Sequence, residues 1–114
     1  MRSDPRQLLY DISVSAQAIA CFVVGQTLED YEGNLMLRSA CERQFEIIGE
    51  AMSRLRDQHS DLFDQITTGR AIVAFRNRLI HGYDSVDSEI VWDVISHELV
   101  ALDGVVQLLL NQMG

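Results

Sequence analysis

Apolar residues recur along this chain at intervals of three and four, the spacing of one face of an α-helix. The first series starts after Asp4, a residue type that caps helices, and Pro5, which suits the first helical position. It continues to Val23, and Gly25 is a natural stop. We therefore predict a first helix from Pro5 to Val24.

Three further series have the same period. They predict a second helix over Leu35 to Leu55, a third near Arg70 to His81 and a long fourth helix over Asp87 to Met113. Short turns are predicted at Thr27 to Tyr31 and Asp61 to Ile66. No segment shows the alternation of a strand, so an all-α, up-and-down bundle of four to five helices is expected.

Composition supports one domain over residues 1–114. With 47% hydrophobic residues, a chain of 114 residues suits a single compact core. No apolar run is long enough to cross a bilayer, and the first apolar stretch lacks the basic start of a signal peptide, so we expect a cytoplasmic protein. Cys21 and Cys41 lack metal-ligand spacing, which favours two buried, reduced thiols over a disulfide or a zinc site.

Charge narrows the possible functions. The formal net charge is −8, and all nine basic residues are arginines. A general RNA-binding protein would be basic. However, Arg70, Arg76 and Arg78 fall within nine residues and concentrate positive potential at one place. Any binding of RNA should therefore be salt-sensitive and confined to a cleft or to an RNA end.

The segment from Arg76 to Tyr83, RNRLIHGY, is the strongest chemical signal in the chain. Arginine binds phosphate oxygens with a planar, charged fork, and histidine can move protons near neutral pH. Arg76 could stabilise the charge that builds on a phosphate during attack by an RNA 2′-hydroxyl, while His81 transfers protons. The negative end of the helix dipole would also favour protonated His81.

Helical geometry allows these groups to meet. Asn77 and His81 are four residues apart and share a face, whereas Arg76 lies about 140° round the axis from His81 and must reach around. Gly82 can end the helix and let Tyr83 return toward His81. Asn77 would then orient the phosphate or His81, and Arg78 would contact substrate or the acidic helix.

Three segments resemble the HepT-like toxins of the HEPN ribonuclease superfamily. Phe75 to Asp84 is similar to the Arg-x4-His-x-Tyr signature of that family. Arg43 to Ala51 resembles the family's second-helix signature, and Val86 to Asp93 resembles the stretch that follows the catalytic motif. The resemblance therefore covers nearly the whole chain.

This resemblance implies an RNA endonuclease that needs neither metal nor cofactor. The family builds its cleft across a two-fold homodimer, which would make Arg76 and His81 catalytic, with Asn77 and Arg78 orienting the substrate. It also implies a toxin of a type VII toxin–antitoxin system. Its partner, an MntA-type nucleotidyltransferase antitoxin, would silence the nuclease by AMPylation of Tyr83, because adenylate adds bulk and charge where RNA must dock.

Two other functions stay open. The chain could be a non-catalytic helical subunit that binds nucleotide or substrate for a nucleotidyltransferase, or a structural dimerisation module. The motif arginines would then be surface charges on an amphipathic helix.

A line of glutamates at four-residue steps also allows two interpretations. Glu42, Glu46 and Glu50 are either solvated or paired with Arg43 and Arg54, or Glu46 or Glu50 fixes the catalytic arginines. We favour the first interpretation, because surface charge runs are common. The Glu-x-x-His pairs of di-metal bundles are absent from the sequence.

Overall fold

The computed structural model describes residues 3–81 and 87–114, without the side chains of Ile80 and His81. These residues form seven helices and no strand, which confirms the all-α prediction. The helices are α1 (Pro5–Phe22), α2 (Leu28–Glu32), α3 (Leu35–Gln58), α4 (Ser60–Asp64), α5 (Gly69–His81), α6 (Ser88–His97) and α7 (Leu99–Gln112).

Local capping explains where several helices start. The side chains of Asp4, Asn34 and Asp87 each accept a hydrogen bond from a backbone N–H of the first turn of α1, α3 and α6. Such caps satisfy N–H groups that have no partner within the helix. Thr27 and Asp30 form a reciprocal capping box that starts α2.

The long helices pack in the order α7, α1, α3 and α5. Helix α3 lies between α1 and α5, and α1 also packs against α7, while α6 contacts α2 and α7. Their apolar faces form one core, whose fully buried side chains include Leu9, Ile12, Ile19, Phe45, Ile48, Met52 and Leu55. The rings of Phe45 and Phe75 meet edge to face at 5.1 Å between centroids, which fixes α5 on α3.

The predicted helix ends are close to the observed ones. Helix α1 ends at Phe22, two residues earlier than predicted, and Gly25 has a φ of 74° in the following turn. An L side chain rarely adopts that angle, so glycine suits this position. Helix α3 runs three residues past Leu55, to Gln58.

The prediction of one long fourth helix is wrong, because α6 and α7 are separate helices. The helical geometry breaks at Glu98, with a φ of −114°. Buried apolar residues keep their helical spacing through this point, from Val91 and Ile95 to Leu99 and Leu102. Helix α6 packs against α2 and α7 packs against α1. The two helices therefore have different neighbours, although neither Gly nor Pro marks the break.

The prediction for the cysteines is half right. Both are free thiols, but only Cys41 is buried, whereas Cys21 is exposed near the end of α1. Burial raises the pKa of the Cys41 thiol to about 11, and the neighbouring Glu42 carboxylate adds to that shift. Among the described helices, none is both long and apolar enough to span a membrane.

Candidate functional site

Arg76 of α5 packs directly against the backbone of α3 at Gly49. A Cβ atom added to Gly49 of α3 would fall 2.2 Å from the Cβ of Arg76 and 2.3 Å from its Cγ. No side chain fits in that space, so glycine lets the aliphatic stem of Arg76 lie directly on the backbone of α3. The approach places the guanidinium group beside the next residue of α3, Glu50.

Two oxygen atoms of the described residues accept hydrogen bonds from the Arg76 guanidinium. Its Nη2 donates to Oε2 of Glu50 at 2.8 Å, and its Nη1 donates to Oδ1 of Asn77 at 3.2 Å. Its Nε is buried and has no hydrogen-bond partner among the described residues. The Arg76 side chain is 25% exposed, so the group is partly removed from water and yet accessible.

The Glu50 carboxylate contacts a second arginine. Its Oε1 accepts a hydrogen bond from Nε of Arg54 at 3.2 Å, one helical turn further along α3. Glu50 therefore joins Arg54 and Arg76 in a row of three charges that carries a net charge of +1. Such shared pairs restrict side-chain motion more than an isolated surface pair does.

These groups line an open groove of about 390 Å³ between α1, α3 and α5. Leu8, Ile47 and Ala51 supply apolar surface. The charged lining consists of Asp11, Arg43, Glu46, Glu50, Arg54 and Arg76. Three arginines thus face three carboxylates, and the groove is neutral overall inside a protein whose net charge is −8. Attraction for a phosphate here depends on the positions of individual guanidinium groups, not on the bulk charge.

The structure brings together only part of the predicted site. Arg76 and Asn77 are in contact, as described above. Arg78 is exposed on α5, and no ion pair of its side chain is found in the described part of the chain. His81 is the last residue of α5, so its backbone lies at the helix end, as predicted. The predicted AMPylation site, Tyr83, lies outside the described residues.

The glutamate line follows both interpretations in part. Glu46 pairs with Arg43 of its own helix at 3.2 Å, as expected for a surface charge. Glu50 pairs with Arg54, which the favoured interpretation expected, and also with Arg76 of α5, which the other interpretation expected. Glu42 is half-buried, and desolvation raises the pKa of its carboxyl group, opposed by Arg38.

Sequence reasoning did not identify the close contact between Gly49 and Arg76. An isolated glycine inside a long helical pattern indicates either a weak point or a close backbone approach. The sequence offered that signal in Ile48-Gly49-Glu50 but could not say which helix would approach. In the described residues, no group of three or more His, Cys, Asp or Glu side chains is arranged to hold a metal ion.

The family model and the similar proteins both point to one family. The model of the "Ribonuclease HepT-like" family matches residues 12–109. A protein of Caldanaerobacter subterraneus subsp. tengcongensis, provisionally named as an RNase, is 31% identical over 95% of this chain and 96% of its own length.

Relatives also occur in archaea. The probable ribonuclease HepT of Thermococcus cleftensis is 28% identical over 91% of this chain and 94% of its own length. No solved structure matches the chain significantly. Because the family model covers most of the chain and the relatives align along nearly all of it, the protein belongs to the HepT-like ribonuclease family.

Proposed function

We propose that this chain is the toxin of a two-gene toxin–antitoxin system and cleaves RNA without a metal ion. Arg76 and His81 are the catalytic residues, and Asn77 and Arg78 orient the substrate. The observation that carries the proposal is the Arg76 guanidinium, which is fixed at a groove and lies on the same helix as His81. Membership of a ribonuclease family supports this chemistry.

The reaction is an attack of the RNA 2′-hydroxyl on the adjacent phosphorus. The O2′–P bond forms and the P–O5′ bond breaks, which leaves a 2′,3′-cyclic phosphate and a free 5′-hydroxyl. One histidine accepts the 2′ proton and another protonates the departing O5′. The guanidinium stabilises the charge that accumulates on the phosphoryl oxygens. Two copies of His81 across the two-fold axis of a homodimer divide the two proton transfers.

Tyr83 is the regulatory residue of the proposal. A partner nucleotidyltransferase transfers AMP from ATP to the phenol oxygen, so that a Tyr–O–P bond forms and pyrophosphate leaves. The added phosphate is attracted to the arginines that would otherwise bind RNA, and the nucleotide occupies the place of the substrate. The nuclease is then silent for as long as the adduct persists. We place both proteins in the cytoplasm.

Expression in bacteria tests the proposal. We expect the wild-type chain to arrest growth and to fragment cellular RNA on a denaturing gel, whereas His81→Ala and Arg76→Ala do neither. Arg56→Ala is the matched control, because it removes an equal charge from an exposed pair with Asp57 in the last turn of α3, and Arg56 is not among the residues that line the groove. This control should behave like wild type.

The proposed regulation by AMPylation of Tyr83 needs a second measurement. Co-expression with a nucleotidyltransferase encoded beside the gene should add the mass of AMP to wild type and restore growth, but should do neither for Tyr83→Phe. Purified wild type should cleave RNA in the presence of EDTA. If His81→Ala is as toxic as wild type, the nuclease proposal is wrong, and a non-catalytic subunit of the nucleotidyltransferase becomes the better explanation.

A further inference from the structure

Glu50 is the only acidic side chain in the described residues that forms an ion pair with Arg76. We propose that Glu50 is a positioning residue of the nuclease: it acts through Arg76, by holding the guanidinium in the orientation in which it receives the phosphate. This inference rests on the proposed function, because it assigns a role to Glu50 only if Arg76 contacts the substrate.

Close packing fixes only the first part of the Arg76 side chain. The stem is held against Gly49, where Cβ and Cγ lie within 2.3 Å of the place that a glycine Cβ would occupy. The last rotatable bonds, which set the plane of the guanidinium, extend beyond this contact. A long side chain such as arginine loses much rotamer entropy when it is fully fixed. The 2.8 Å bond to Oε2 of Glu50 restrains that remaining freedom before substrate arrives.

The pairing leaves donors free for phosphate. A guanidinium has five N–H groups, two on each terminal nitrogen and one on Nε. Glu50 occupies one N–H of Nη2, and Asn77 occupies one N–H of Nη1. Among the described residues nothing else accepts from the second N–H of either terminal nitrogen, so one N–H on each suits a phosphoryl oxygen. Glu50 therefore holds the guanidinium group without using all of its donors.

The positive charge is also preserved. A carboxylate paired with one arginine cancels its charge, but Glu50 is shared with Arg54, whose Nε lies 3.2 Å from Oε1. The three groups together carry +1. Arg54 in turn restrains Glu50, so the carboxylate that holds Arg76 is itself held by a second ion pair. This arrangement is what a fixed electrostatic group requires, because its dipoles do not reorganise during the reaction.

Asp57 provides a matched control in the last turn of α3. Its ion pair is with Arg56 of its own helix, and neither residue is among those that line the groove. Neutralising Asp57 removes the same charge as neutralising Glu50, while the contact with Arg76 is untouched. A difference in kcat between the two substitutions therefore reports the position of Glu50 beside Arg76.

The test uses the purified full-length chain and a single-stranded oligoribonucleotide that carries a fluorophore and a quencher. We expect Glu50→Gln to lower kcat about 10- to 100-fold, the loss typical of a misplaced catalytic group. Its KM should be unchanged or lower, since removal of a negative charge favours association with RNA. Asp57→Asn should keep the wild-type kcat. Glu50→Asp keeps the charge and should recover part of the lost rate.

A double substitution separates positioning from general damage. In a background of Arg76→Lys, Glu50→Gln should cause a much smaller further loss in kcat than it causes in wild type, because both changes act on the same group. Unfolding by urea, followed by circular dichroism, should show both Glu50 variants folded under assay conditions. A loss of activity that equals the unfolded fraction would overturn the proposal.

The outcomes distinguish the two hypotheses. If Arg76→Ala and His81→Ala cleave the oligonucleotide like wild type, the proposed function fails and Glu50 has no positioning role. If those variants are inactive but Glu50→Gln keeps the wild-type kcat, the nuclease stands and the role of Glu50 is refuted. A raised KM with unchanged kcat would also refute it, since that pattern indicates a contact in binding alone.

Discussion

The α1–α7 contact and the α3–α5 contact both place polar groups between two packed helices. They differ in how completely those groups are hydrogen-bonded. In the α1–α7 contact Ser13 is 2% exposed, and every hydrogen-bonding position of its hydroxyl is occupied. It donates to Oδ1 of Asp103 at 2.8 Å and accepts from Gln17 at 3.1 Å and Gln107 at 2.6 Å. One donor and two acceptor positions are all that a serine hydroxyl has.

The α3–α5 contact contains a charge that is only partly satisfied. Arg76 is paired with Glu50, yet its buried Nε has no partner among the described residues. Buried polar groups in folded proteins are nearly always paired, so an exception calls for an explanation. A saturated network such as that of Ser13 fixes the register of two helices. A cation at a groove whose partners among the described residues leave some of its donors unused is suited to a ligand.

The largest expected effect follows from Gly49→Ala. The new methyl group would overlap the Arg76 stem, so α5 must move away from α3. We expect a loss of about 1–3 kcal/mol in the free energy of unfolding, typical of overpacking, together with reduced RNA cleavage. Urea denaturation and the oligonucleotide assay measure the two effects.

Gly104→Ala is the matched control, because nothing lies within 4 Å of its added Cβ in the middle of α7. It should stabilise the protein by about 0.5–1 kcal/mol through helix propensity. Equal stabilisation by Gly49→Ala would show that α5 does not approach α3 as described.

Ser13→Ala should have the next largest effect, and on stability alone. It removes the centre of the α1–α7 network and leaves Asp103, Gln17 and Gln107 to find other partners. A loss of about 1–3 kcal/mol in the free energy of unfolding is expected, with kcat per folded molecule unchanged.

Thermal and urea unfolding, followed by assays below the transition, check this prediction. Ser96→Ala, at an exposed position of α6, should stay within about 0.5 kcal/mol of wild type. A fall in kcat for folded Ser13→Ala would contradict the separation of the two contacts.

The smallest effect concerns Glu42, a charge of α3 that lies away from the α3–α5 contact. Desolvation raises its carboxyl pKa, so the folded state binds this proton more tightly than the unfolded state does. The contribution of Glu42 to stability therefore falls as pH rises from its ordinary pKa through the raised one. At neutral pH, Glu42→Gln should be slightly more stable than wild type.

The difference in free energy of unfolding between Glu42→Gln and wild type should shrink as pH is lowered below about 4, where the glutamate becomes protonated in both states. Urea titrations of both proteins in the same buffers measure it. If the difference is independent of pH, the charge of Glu42 does not cause the difference in stability. Glu50→Gln should lack this gain at neutral pH, because Glu50 has two cationic partners.

The sequence by itself determined the all-α class, most helix ends and the helix that carries Arg76 and His81. These follow from local rules: Asp4 and Asn34 cap helices, Gly25 adopts a positive φ, and apolar residues recur at the helical period. A local rule needs no knowledge of the neighbouring helix, which is why these predictions hold.

Only the tertiary structure decided the break at Glu98, the exposure of Cys21 and the partner of Glu50. The apolar period continues through Glu98, and α6 and α7 separate because they pack against different helices. Glu46 and Glu50 are equivalent in spacing along α3, yet only Glu50 reaches Arg76. Which of two equivalent carboxylates meets a cation 26 residues away depends on how two helices approach each other, and at Gly49 that approach is set by the absence of a side chain.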